Sequence, residues 1–150
     1  MFIDKKELAK QLDKPIEQVV VGFTASSFDL MHAGHIVMLQ ESKQLCDYLI
    51  VGLLTDPTLD RPDTKNKPIQ SIFERYVQVA SCQYVDEVIP FESEKDLEDM
   101  IRTINPDIRI CGEEYKGKEH TGKGLCHIHY NKRRHSFSTS ELRERVSNGK

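Results

Sequence analysis

The chain has 150 residues, 38% of them hydrophobic, a length that fits one ordinary domain with a buried core. Its 21 basic and 24 acidic residues give a formal net charge of -3, which excludes a chain-wide positive field attracting nucleic acids or membrane surfaces. No apolar run approaches the roughly 18 residues that span a bilayer, and the opening stretch is charged, so we expect neither export nor membrane insertion.

Apolar periodicity predicts strands and helices that alternate along the chain. The predicted elements are a helix over residues 4–14, a strand over 19–25, a helix over 34–46, a strand over 47–54, a helix opened by Ser71, a strand over 84–91, a helix over 93–104, a strand over 108–112, a strand over 125–130 and a helix over 138–146. The stretch 55–70 has three prolines and no apolar period, which predicts a long loop. The alternation predicts an α/β fold, a doubly wound parallel sheet, as one domain over residues 1–150.

The four cysteines are widely separated and fall in segments predicted to be buried, unlike the disulfide framework of a small secreted domain. We therefore expect free thiols in a cytoplasmic protein.

The stretch SSFDLMHAGHI, residues 26–36, follows the first predicted strand. Ligands of such sheets bind at the carboxyl ends of the strands, and the loop after the first strand leads into a helix N-terminus. His32 and His35 flank Gly34 where free backbone N–H groups are expected, an arrangement suited to an anion. The two histidines are equally compatible with helix capping or core packing. A zinc site needs further ligands at metal spacing, which do not follow, so we expect no metal site there.

The residues Phe28, Asp29, His32, Gly34 and His35 match the block GxFDxxHxGH, and on this ground the chain resembles the HxGH nucleotidyltransferase superfamily. The resemblance is greatest to its cytidylyltransferase branch, in particular to the glycerol-3-phosphate cytidylyltransferases, and similar blocks continue through residues 19–146. It implies a Rossmann-like nucleotidyltransferase fold and an enzyme that transfers CMP from CTP to a small phosphorylated alcohol, with glycerol 3-phosphate favoured, and releases pyrophosphate.

The resemblance also implies roles for particular residues, with Mg²⁺ carried by the nucleoside triphosphate. The implied catalytic residues are His32, His35, Lys65 and Arg133. The implied nucleotide-binding residues are Ser27, Phe28, Asp29, Gly34, Glu113, Tyr115, Ser138 and Thr139. The implied phosphate-binding residues of the acceptor site are Lys67 and Arg75. Taken alone, the lysines are typical of a solvated loop, Arg75 of surface charge and Ser138 of a helix cap, while Lys43 is assigned a structural role.

Two other motifs resemble binding sites but do not predict one. The stretch GKEHTGKG, residues 117–124, is close to a P-loop, but Gly124 stands where the hydroxyl residue belongs and no helix follows. The side chains of CHIH, residues 126–129, alternate between the two faces of a strand and do not converge on a metal.

The chain departs from the family pattern at Ser26, where glycine is usual, at Tyr115, where tryptophan is usual, and at residues 134–136. The stretches HAGH, 60–68 and 111–118 are also similar to adenylyltransferases that activate sugar 1-phosphates such as heptose phosphate, which is the alternative function. A non-catalytic nucleotide-binding domain is a third hypothesis. The resemblance further implies a homodimer that pairs near residues 83–91.

Overall fold

Five parallel strands form one sheet in the computed structural model, which describes residues 4–149. The strands are β1 (Val21–Ser26), β2 (Tyr48–Leu54), β3 (Glu87–Phe91), β4 (Ile108–Gly112) and β5 (His127–Asn131). The helices are α1 (Lys5–Leu12), α2 (Ala33–Gln44), α3 (Ile72–Ala80), α4 (Glu94–Ile104) and α5 (Thr139–Asn148). The strand order β3-β2-β1-β4-β5 confirms the predicted doubly wound α/β sheet.

The two faces of the sheet carry separate apolar clusters, because successive side chains of a strand point to opposite sides. Phe23 and Ile50 pack with Ile101 of α4 on one face. On the other face, Leu49, which precedes Ile50 in β2, packs with Leu39 of α2. The helices α2 and α4 therefore cover opposite faces, and their N-termini reach the carboxyl edge of the sheet from the two sides.

The predicted strands are all present, with shifted ends. The third is shorter than residues 84–91, because the chain turns at Val85, whose N–H donates to the carbonyl of Cys82 at 3.1 Å, before β3 begins at Glu87. Pro90 has no N–H to donate and lies in β3, an edge strand that needs a partner on one side only. The fifth strand begins two residues later than predicted.

Serine caps begin three of the helices where the sequence places them. Ser71, Ser93 and Ser138 each accept a hydrogen bond from a backbone N–H three residues further on. Lys43 has the expected structural role, because its Nζ contacts Asp86 Oδ2 and the carbonyl of Asp47.

Among the described helices, none combines the length and the apolar character needed to cross a membrane. Residues 1–3, part of the opening stretch for which we expect no export signal, lie outside the described residues.

Candidate active site

A cleft with a volume of about 540 Å³ lies over the carboxyl edge of the sheet. It is bounded by the ends of β1, β2, β4 and β5, by the N-termini of α2, α4 and α5, and by part of the loop 55–71. This is where an open parallel sheet places its ligands.

His32 and His35 line this cleft at the start of α2. His32 is the N-cap residue, and its Nδ1 accepts a hydrogen bond from the N–H of Gly34 at 3.0 Å. The N–H of His32 in turn donates to Nδ1 of His35 at 3.1 Å. The two rings lie against each other with their centroids 4.0 Å apart. The histidine pair therefore caps the helix, which is one of the alternatives that the sequence left open. The two residues also line the cleft.

These bonds fix the tautomer of both rings. A neutral imidazole has one protonated nitrogen, and a nitrogen that accepts a hydrogen bond is the unprotonated one. Since Nδ1 accepts in both rings, the proton of each is on Nε2. Nε2 of His32 donates to the hydroxyl of Thr139 at 3.2 Å, and that hydroxyl donates to the carbonyl of Asp29 at 3.3 Å.

The surroundings keep both rings neutral. Burial, together with the neighbouring His32, lowers the pKa of His35 to about 4. Burial also lowers the pKa of His32, and the positive charge of Arg133 adds to this shift. At neutral pH both rings at the cleft are therefore uncharged and carry their proton on Nε2.

Gly34 is required because the rings of His32 and His135 pack closely against it. A Cβ at this position would lie 2.8 Å from Cε1 of His32 and 2.9 Å from Cε1 of His135. A side chain here would push one of the two rings out of place, so the glycine between the histidines is a steric requirement.

The N-terminus of α5 faces the histidines across the cleft. Ser138 caps it through its Oγ, which accepts from the N–H of Glu141 at 3.0 Å, and Thr139 contacts His32. Arg133, in the loop after β5, donates to the carbonyl of Phe137 and also lines the cleft. Two helix N-termini and a guanidinium thus surround one space, an arrangement that favours a multiply charged anion.

Asp29 lies beneath the cleft and joins three segments. Its carboxylate accepts from the N–H groups of Ile69 at 2.9 Å and Gln70 at 3.0 Å, and from Nη2 of Arg143 in α5 at 2.7 Å. Burial alone would raise the pKa of Asp29, but these three donors outweigh it and hold the pKa below its ordinary value. Asp29 therefore connects the histidine loop, the loop 55–71 and α5.

The loop around Asp29 has an unusual backbone. Phe28 and Leu30 have φ values of 50° and 51°, in the left-handed region that bulky residues rarely adopt. The N–H of Leu30 donates to Oε1 of Gln70 at 2.8 Å, and the buried ring of Phe28 packs against His35 with centroids 5.4 Å apart. The strain of this turn is maintained by contacts that also fix the position of His35.

Arg75 is buried outside the cleft. Its guanidinium donates to four carbonyl oxygens, those of Ser27, Leu54, Thr55 and Gln70. Its visible role is to join the ends of β1 and β2 to the start of α3. The phosphate contact implied by the resemblance stays a prediction, which this position does not support.

The structure thus brings only some of the predicted site residues together. Those that line the cleft are Ser27, His32, Gly34, His35, Lys65, Tyr115, Arg133, Ser138 and Thr139. Those that do not are Phe28, Asp29, Lys67, Arg75 and Glu113. The short 3-10 turn Glu113–Tyr115 points successive side chains in different directions, so Glu114 lines the cleft where Glu113 does not. The ligand roles of all these residues stay predictions.

Several polar residues of the cleft were not predicted from the sequence. Asp56 and Glu94 follow β2 and β3, and their places after buried strands could have identified them. Arg109 is the one charged residue of the predicted strand IRICG, a signal that was available. Arg61 and Thr121 lie in long loops, and their sequence surroundings carry no signal.

Comparisons with a family model and with known proteins point to the same family. The family model described as cytidylyltransferase-like matches residues 23–145. The bifunctional protein HldE of Nitratiruptor sp. is 38% identical over 125 residues, which cover 83% of this chain and 26% of that protein. HldE of Campylobacter jejuni strain RM1221 is 34% identical over 148 residues, covering 98% of this chain and 32% of that protein. The chain thus spans between about a quarter and a third of the length of these relatives.

Among solved structures, the lipopolysaccharide core biosynthesis protein from Thermoplasma volcanium superposes with a TM-score of 0.56 at 24% identity. The match covers 86% of this chain and 87% of that one, and it supports the fold alone.

The buried position of Arg75 leads to a stability prediction. We expect Arg75→Met to lower the free energy of unfolding by about 3 kcal/mol or more, because each carbonyl loses a charged donor worth about 1.5–3 kcal/mol. Urea denaturation measures this. The control is Arg102→Met, whose guanidinium pairs with Glu98 on the exposed side of α4 and which should change stability by about 0.5 kcal/mol at most.

Equal stability of the two variants, with a raised KM for the acceptor in Arg75→Met alone, would contradict the structural role and support the phosphate contact instead.

Proposed function

The chain belongs to the cytidylyltransferase-like family of HxGH nucleotidyltransferases, and from this premise we propose that it transfers the adenylyl group of ATP to a sugar 1-phosphate such as a heptose phosphate, with release of pyrophosphate. The observation that carries nucleotidyl transfer is the pair of neutral imidazoles that line the cleft beside the N-terminus of α5, which Nε2 of His32 contacts through Thr139.

The reaction exchanges one phosphorus–oxygen bond for another. An oxygen of the sugar phosphate attacks the α-phosphorus of the triphosphate, and the bond from that phosphorus to the oxygen bridging to the β-phosphate breaks. Pyrophosphate leaves with the electron pair. Because the attacking oxygen is already anionic, the site needs no strong general base and has to position the reactants and stabilise developing negative charge.

His32 and His35 suit this task. Their Nε2–H groups are donors of neutral rings, because burial lowers the pKa of His32 below its ordinary value and lowers the pKa of His35 to about 4. Each ring is also held in place through Nδ1, so the rings themselves need no reorientation, and only the bond from Nε2 of His32 to Thr139 gives way to a phosphate oxygen. We assign them to the oxygens of the α-phosphate.

The remaining phosphates fit the opposite side of the space. The N-terminus of α5 offers the free N–H groups of its first turn beside Ser138 and Thr139, and Arg133 and Lys65 supply positive charge. We propose that Mg²⁺, bound to the triphosphate, neutralises part of its charge. Magnesium in such complexes takes ligands mainly from phosphate and water.

The choice of substrates rests on the relatives. Similarity to the bifunctional HldE proteins favours the adenylyltransferase alternative over the main expectation from the sequence, CMP transfer to glycerol 3-phosphate. The polar character of the cleft on the α4 side, where Arg61, Glu94 and Thr121 lie, also suits an acceptor with several hydroxyl groups. The expected homodimer and the cytoplasmic location stay predictions.

A crossed substrate panel tests this proposal. Pyrophosphate release is measured for ATP, CTP, GTP and UTP, each with heptose 1-phosphate, mannose 1-phosphate, glycerol 3-phosphate and phosphocholine. We expect the highest kcat/KM for ATP with a sugar 1-phosphate. A highest value for CTP with glycerol 3-phosphate would restore the cytidylyltransferase assignment. Nucleotide binding without turnover on any acceptor would favour the non-catalytic hypothesis.

Separate substitutions test the histidines. In His32→Asn and His35→Asn the new Oδ1 can still accept the backbone N–H that Nδ1 accepts, while the Nε2–H donor is lost. We expect each variant to lower kcat by about a hundredfold or more, the usual cost of removing such a donor. His127→Ala, at an exposed histidine of β5 outside the cleft, is the control. Rates within a few-fold of the parent in both Asn variants would show that the assigned role is wrong.

A further inference from the structure

A second polar cluster lies on the α4 side of the cleft, away from the histidines. Glu94, the first residue of α4, accepts a hydrogen bond at each carboxylate oxygen: Oε1 from Nη2 of Arg61 at 2.8 Å, and Oε2 from the hydroxyl of Thr121 at 2.5 Å. Its N–H donates to Oδ2 of Asp60 at 2.7 Å. The carboxylate is therefore fixed in orientation by two separate segments of the chain, the loop that holds Asp60 and Arg61 and the loop that holds Thr121.

Glu94 retains capacity to bind more donors. A carboxylate has about four lone-pair sites, and the two contacts of Glu94 occupy one site on each oxygen. The side chain remains 35% exposed, and the residue lines the cleft. Two adjacent acceptor sites in a fixed plane match two neighbouring hydroxyl groups of a ligand.

Unmatched polar atoms belong to two other residues of the same cleft. Arg109 is 8% exposed and donates through Nη1 to the carbonyl of Thr121, but its Nε is buried with no hydrogen-bond partner among residues 4–149. Oδ1 of Asn131, at the end of β5, is likewise buried without a partner in the described part of the chain. Both residues line the cleft. Buried polar atoms are rarely left unpaired, so one donor and one acceptor here have bonding capacity that the protein does not use.

From this arrangement we propose that Glu94, oriented by Arg61 and Thr121, binds hydroxyl groups of the acceptor and makes the enzyme specific for a polyhydroxylated sugar phosphate. Arg109 and Asn131 complete the subsite. The inference rests on the proposed function, since it identifies the residues that recognise the sugar in that reaction.

The mixture of donors and acceptors defines the ligand chemistry. A phosphate offers only acceptors at its oxygens and would be repelled by Glu94 and by Oδ1 of Asn131. A trimethylammonium group offers no hydrogen bonds. A hydroxyl group both donates and accepts, so it satisfies the carboxylate, the amide oxygen and the guanidinium N–H alike. The sugar ring belongs at this cluster, and its phosphate belongs nearer to the histidines.

Binding measurements test the subsite without turnover. Calorimetric titrations with heptose 1-phosphate, mannose 1-phosphate and single deoxy derivatives of mannose 1-phosphate are made in the presence of α,β-methylene ATP, which cannot transfer its adenylyl group. The variants are Glu94→Gln, which keeps the shape but removes the charge, and Glu98→Gln as control. Glu98 lies one turn further along α4 and pairs with Arg102 at the surface.

We expect Glu94→Gln to weaken binding of the fully hydroxylated sugar phosphate at least about tenfold, the usual effect of weakening hydrogen bonds to a charged group. Glu98→Gln should bind like the parent. At least one deoxy derivative should bind the parent as weakly as the full sugar binds Glu94→Gln, and should bind both proteins equally.

Equal affinity of the parent and Glu94→Gln for the full sugar would overturn the proposal, as would failure of the parent to bind either sugar phosphate. The same binding pattern without pyrophosphate release from any nucleoside triphosphate would sustain the subsite and refute the transfer reaction. Transfer to a sugar phosphate that Glu94→Gln binds unchanged would refute the subsite alone.

Discussion

Two hydrogen bonds from the backbone to imidazole rings determine the chemistry of the cleft. The N–H of Gly34 donates to His32, and the N–H of His32 donates to His35, in each case at Nδ1. Because these bonds need unprotonated Nδ1 atoms, both rings present a protonated Nε2, and burial favours the neutral form. The bonds that begin α2 thus also create the two donors of the site.

The scaffold around the rings serves to hold this arrangement. Asp29 joins the strained histidine loop to α5 and to the loop 55–71, and Arg75 joins the ends of β1 and β2 to α3. Neither side chain lines the cleft, although family resemblance places both among the ligand-binding residues. They are better understood as positioning residues, whose loss would move the histidines without removing a direct contact to substrate.

Much of this architecture could be predicted from the sequence, because it depends on local patterns. Apolar runs predicted every strand of the sheet, Ser71 and Ser138 marked the starts of α3 and α5, and the motif after the first strand located His32 and His35. The interior role of Arg75 could not be predicted, since four carbonyls from different segments surround it only in the folded chain. The contact of Glu94 with Thr121 likewise joins residues 27 positions apart, and their nearest neighbours in sequence carry no sign of it.

The central claim is that both histidines are neutral Nε2–H donors in the free protein. The most direct test is a long-range proton–nitrogen NMR spectrum of protein labelled with ¹⁵N-histidine, recorded from pH 8 down to pH 4, with each ring assigned by substitution. We predict a protonated Nε2 and an unprotonated Nδ1 for both rings at pH 7, with His35 gaining its second proton only near pH 4. A proton on Nδ1 of either ring at pH 7 would contradict the account.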